Sequence, residues 1–142
     1  MKLVITLCIT VLLLVIGDAP VRRDAFDGTW TLVSGQREGK PMAEAELQPS
    51  KLTLESDRYT IELPGNGIVT GMQTIDSTKS PKTIDIMDTS GINGGETCLG
   101  IYEFGGDEFR VVFAPAGMPR PTTFTTAPGD GRWMHVWKRV TQ

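Results

Sequence analysis

The sequence has little of what staples, ligates or catalyses. Two of its 142 residues are cysteine, Cys8 and Cys98, and Cys8 falls in an N-terminal apolar run expected to be removed. That leaves no disulfide framework, so the domain has to rest on its core. His135 is the single histidine. With no second imidazole and no cysteine pair, a zinc site and a Ser-His-Asp arrangement both lack their parts, and the expected role of His135 is a satisfied strand histidine. Lysine and arginine total 14 against 17 acidic residues, and they are scattered without a basic stripe. Nucleic acid is therefore excluded as a partner. Helix-favouring sequence is also scarce: beyond the N-terminus only Met42-Ala-Glu-Ala-Glu-Leu47 supports a brief helical turn. Punctuation is abundant. Sixteen glycines and nine prolines in so short a chain imply many turns and an all-β class.

Met1-Lys2 followed by an apolar and threonine-containing run over residues 3–16 has the form of a signal segment. The run falls short of the ~20 residues of a membrane span. Gly17, Ala19 and Ala25 are small residues that suit a cleavage site. Arg22-Arg23 favours the alternative, an uncleaved anchor, by opposing translocation. The expected organisation is a signal peptide over residues 1–19, a short linker over 20–25 and one domain over 26–140. The expected address is export, with membrane contact only through an uncleaved N-terminus.

The rest of the chain alternates short apolar-patterned runs with turn residues at spacings of about 8 to 12, as sandwiches and barrels do. Eight strands are predicted, over residues 28–36, 51–55, 58–63, 68–75, 82–87, 97–104, 108–114 and 132–140. Ser56-Asp57 and Gly105-Gly106-Asp107 mark two hairpins. Runs such as Cys98-Leu99-Gly100-Ile101-Tyr102 are apolar on both faces, which a central sandwich strand or a barrel wall covered outside by loops explains. The long irregular segment, residues 115–131 with Pro115, Pro119, Pro121 and Pro128, reads as a functional flap or a packed Ω-loop.

Gly28-Thr29-Trp30 at the head of the first strand resembles the G-x-W signature of lipocalins. It is joined by Gly39-Lys40-Pro41, Ser80-Pro81-Lys82-Thr83-Ile84-Asp85, Gly100-Ile101-Tyr102-Glu103, Phe113-Ala114-Pro115 with Pro119-Arg120-Pro121, and Trp137-Lys138-Arg139. Together these resemble a lipocalin-like domain family expanded in planctomycete bacteria, over residues 26–139. The resemblance implies a small antiparallel up-and-down eight-stranded β-barrel and no activity. It also implies that Trp30 plugs one barrel end under a cation from the last strand, Arg139 by position or Lys138 from the opposite face. Such an interaction contributes about 0.5 to 2 kcal/mol.

Tyr59, Met72, Tyr102, Phe109 and Phe113 are expected on inward faces, where they line a cup or fill it. Inward Thr70 and Gly100 favour the cup, and the two phenylalanines favour filling. Asp88-Thr-Ser-Gly-Ile-Asn-Gly-Gly-Glu96 has calcium-type ligands without EF-hand spacing and reads as a glycine-rich connection. Cys98 reads as a buried small hydrophobe. No cofactor motif and no paired acid and base point to an enzyme. Two functions stand: a binding module for a small apolar or amphipathic ligand with residues 115–131 as its lid, or a structural or interaction domain with a filled core and an envelope protein as partner. Oligomeric state is not legible.

Overall fold

The computed structural model describes residues 25–47, 50–65 and 67–141. The expected signal segment and most of the expected linker lie outside the described residues. Nine strands and one helical turn follow in order: β1 (Gly28–Arg37), β2 (Lys40–Pro41), α1 (Glu44–Leu47), β3 (Lys51–Glu55), β4 (Arg58–Leu63), β5 (Gly67–Asp76), β6 (Lys82–Asp88), β7 (Thr97–Gly105), β8 (Glu108–Phe113) and β9 (Trp133–Arg139). Each strand from β3 to β9 pairs antiparallel with its predecessor in the ring, and β9 returns to pair with β1 from Trp30↔Arg139 to Arg37↔Trp133. The result is a closed eight-stranded up-and-down barrel, all-β as expected. Gly39-Lys40-Pro41, expected as a turn alone, also supplies the two residues of β2, which pair with Gln36 and Arg37.

The hairpins form where local chemistry permits a reversed backbone. Gly106 turns β7 into β8 at φ 67°, a left-handed conformation that glycine adopts without steric cost. Between β3 and β4 the same duty falls on Ser56 at φ 57°. Its N–H donates to Asp27 Oδ1 at 2.7 Å, which ties this turn to the entry of β1.

Alternation divides each strand between interior and exterior. Leu52, Leu54, Tyr59, Ile84, Phe109, Val111, Phe113 and Trp137 form the interior cluster with Trp30 and Phe26. Two glycines face inward among them. Gly71 pairs with Tyr59 and Gly100 with Phe113, and in each case the partner's ring occupies the space that a side chain would need.

The outer wall has a second apolar layer. Ile101 and Val112 are partners across β7 and β8, on the face opposite the interior residues, and are 1% and 0% exposed. The segment between β8 and β9 covers them: Pro121 is fully buried and borders the same groove as Ile101. Arg120 fixes it there by an ion pair with Asp85 and by donating to the Gly100 carbonyl at 2.7 Å. Further along, Thr126 Oγ1 donates to Gln36 Oε1 and accepts from Gly39 N–H, at 2.7 and 2.8 Å. Residues 115–131 are thus a packed loop on the outside of the barrel. The expected lid is corrected on that point, because an apolar outer face at β7 and β8 demands cover and this loop supplies it.

Candidate functional site

One barrel end is shut by aromatic packing. Trp30 is 0% exposed, and its indole Nε1 donates to the Phe26 carbonyl at 2.8 Å. Phe109 meets it edge-on at 4.6 Å between centroids, and Phe26 packs against Tyr102, Phe104 and Phe109 at 4.9, 4.7 and 5.4 Å. The Arg139 guanidinium lies 4.1 Å from the Trp30 ring centroid. It also donates to the carbonyls of Asp27, at 2.7 Å, and Ala25. One arginine therefore seals the tryptophan and pins the chain that leads into β1. Lys138, on the other face, points to Asp107.

Beyond this plug lies a partly open apolar cavity of about 80 Å³. Its walls include Leu52, Leu54, Tyr59, Phe109, Phe113 and Trp137, and its rim includes the partly exposed Ile61, Ile86 and Trp133. Phe113 and Trp133 stand together there, 5.5 Å apart and tilted by 33°. Tyr59 donates its hydroxyl to the Asp88 carboxylate. Burial first, and then Asp88, push the phenol pKa well up, so Tyr59 stays protonated.

Two further polar groups enter the lining, Gln73 and His135. Their Nε2 atoms are sealed from solvent and have no hydrogen-bond partner among the described residues. Burial, aided by the charge of Arg37, pushes His135 down to about 4, so its imidazole is neutral at pH 7. His135 lies in the last strand as expected and borders the cavity, but the expected satisfied histidine is corrected, because its Nε2 has no partner among the described residues.

Of the five residues expected inward, Tyr59, Phe109 and Phe113 line the cavity. Tyr102 faces inward too but packs into the plug against Phe26. Burial raises its phenol pKa to about 12, and its hydroxyl has no partner among the described residues. Met72 is the correction. It is 38% exposed on the outer face of β5, and Thr70 shares that face, bonding to Ser90. Register assigns the inward places of β5 to Gly71 and Gln73, both buried. The cup argument drawn from Thr70 falls with it, and the room left at Gly100 is filled by Phe113.

No protein-family model, curated protein or solved structure matches the chain. The chemistry of the site therefore has to be read from its own residues. Cys98 borders the rim half-buried, and burial raises its thiol pKa, which keeps it a weak nucleophile. Asp88 to Glu96 forms the turn-rich connection from β6 to β7, in which Gly95 N–H donates to the Asp88 carbonyl at 2.8 Å. The arrangement offers an apolar recess, aromatic rims and two free hydrogen-bonding atoms. Gln73 was not legible in advance, because a glutamine between Met72 and Thr74 has the look of a surface residue.

Proposed function

We propose that the protein is an exported, non-catalytic binding domain of the lipocalin-like kind that takes one end of a small apolar or amphipathic molecule into the open half of the barrel. The observation that carries this reading is the asymmetry of the interior: Trp30 and Arg139 seal one end, and an apolar recess opens at Phe113 and Trp133 on the other. At about 80 Å³ the recess is well below the ~300 Å³ of a site for a drug-sized ligand. Only the leading end of a ligand enters, and the rest lies against the rim. The resemblance to the planctomycete-expanded family supports the fold in this reading and adds no activity. Export rests on residues 3–16, and mass spectrometry of the protein expressed in a Gram-negative host tests it by finding a chain that begins between residues 18 and 26.

The second reading, a filled barrel serving as a structural or interaction domain, is favoured by the same small volume and by the rings seated over Gly71 and Gly100. Titration with an apolar fluorescent probe separates the two. A binding domain takes up about one probe per chain with micromolar affinity, roughly −8 kcal/mol, and the affinity changes when Phe113→Ala enlarges the interior. No stoichiometric uptake, or uptake indifferent to Phe113→Ala, supports the filled barrel.

A further inference from the structure

The polar atoms of the cavity define what kind of ligand end it accepts, an inference that rests on the binding reading above. Gln73 is 6% exposed, and its amide Nε2 is unpartnered among the described residues, as is Nε2 of His135. Gln73 belongs to β5 and His135 to β9. Three strands separate these whichever way the ring is followed, so the two groups come from opposite walls of the barrel and border one recess. Buried polar groups without partners are costly, and native cores seldom keep them unless water or a ligand completes them.

The remaining chemistry narrows the class. Among the described residues the lining contains no aspartate, glutamate, lysine or arginine. Asp88 is taken up by Tyr59 and Arg37 acts on His135 from outside the lining, so a carboxylate or ammonium entering the recess would lose its hydration without a counter-charge in contact. The Tyr59 hydroxyl is already committed to Asp88. Burial keeps His135 neutral, so it offers one nitrogen that donates or accepts according to its tautomer. A hydroxyl group both donates and accepts. It matches either end of the Gln73 amide and either tautomer of His135, whereas a carbonyl matches donors only. About 80 Å³ holds a hydroxyl with a few carbon atoms behind it.

We propose that the recess is a binding site for the uncharged, hydroxyl-bearing end of an aryl or alkyl alcohol, held between Gln73 and His135, with the apolar remainder against Phe113 and Trp133.

Three probes of one shape test it on the folded protein: 4-ethylphenol, ethylbenzene and 4-ethylbenzoate, titrated by calorimetry and by ¹H–¹⁵N NMR. The expected result is that 4-ethylphenol binds about tenfold or more tighter than either of the others, the worth of one hydrogen bond to a buried group otherwise left unpaired. The Gln73 side-chain amide resonances should shift on its addition. Gln73→Leu should erase the preference, so that 4-ethylphenol binds no tighter than ethylbenzene. Gln73→Met serves if the leucine variant does not fold, and the wild-type amide shift reads the contact without any variant. Ethylbenzene binding as tightly as the phenol, or the benzoate binding tightest, overturns the hydroxyl assignment and leaves the binding domain standing. Binding of none of the three overturns both, and assigns the two polar atoms to trapped water.

Discussion

The ring of Phe113 lies in the place where a side chain of Gly100 would be, and a methyl there would sit 2.7 Å from the Val112 carbonyl oxygen. The two residues are register partners on β7 and β8, and each sets the space left to the other. Gly100→Ala is expected to destabilise by about 1 to 3 kcal/mol through overpacking, and Phe113→Ala by about 3 to 5 through the cavity it leaves. The double variant should cost less than the two together, by about 1 kcal/mol or more, because the new methyl occupies vacated space. Urea unfolding of the four proteins checks this. Strict additivity would show that the ring and the glycine are not coupled.

Trp30 and Arg139 share the plug unequally. Trp30→Ala removes a fully buried ring that meets Phe109 edge-on and should cost about 3 to 5 kcal/mol. Arg139→Ala removes the cation over the ring and two hydrogen bonds and should cost about 1 to 3. Arg139→Lys keeps the charge but not the fork that holds two carbonyls, and it should recover only part of the loss. An unchanged denaturation midpoint in Trp30→Ala would contradict the sealed end.

Acid should weaken the fold through His135. Its folded pKa is near 4, against about 6.5 in an unfolded chain, so between these values the unfolded state binds a proton that the folded state refuses. Stability from this source is complete above about pH 6.5 and declines as pH falls toward 4, by up to about 3 kcal/mol. From pH 7 to 4.5 the wild type should lose about 2 to 3 kcal/mol more than His135→Gln, in which carboxylate titration is still present. Equal losses would mean that His135 takes its proton without strain.

Deleting residues 118–125 removes Arg120 and Pro121 from the outer wall and uncovers Ile101 and Val112. The fold should lose about 3 kcal/mol or more from the apolar surface exposed. Probe affinity of the remaining folded protein should not change, since no residue of this loop lines the cavity. A fall in affinity at unchanged stability would restore the loop as a lid.

The strands were legible because Leu52 and Leu54, Tyr59 and Ile61, or Ile84 and Ile86 alternate cleanly, and glycine, Ser56-Asp57 or the stretch Ser77 to Pro81 marks each reversal. Strand β5 was not. Ile68 and Met72 on one face balance Val69 and Ile75 on the other, and the inward face carries Gly71 and Gln73, which resemble surface residues in isolation. Only the partner strand reveals that Gly71 is small because Tyr59 needs its place. The loop stayed open between flap and packed Ω-loop for a similar reason: its prolines announce stiffness, but the pairing of Arg120 with Asp85, 35 residues away, fixes where it lies. Closure by Trp30 and Arg139 was anticipated from the resemblance and not from spacing, because no local pattern joins residues so far apart in sequence.

The barrel's ring of strands is uneven in strength. Strand β1 holds β9 over seven residue pairs but β3 over four, Gly28 to Thr31, the fewest between any neighbours in the ring. Beyond Thr31, Ser50 and then β2 take over β1's free edge. Local opening follows the least-bonded contact, so this seam is the natural site of breathing. Amide hydrogens of β3 facing β1 should exchange with solvent ahead of those between β6, β7 and β8. Fluctuation there would widen the rim while the Trp30 end stays shut, giving a guest a route through the wall without unfolding the ring.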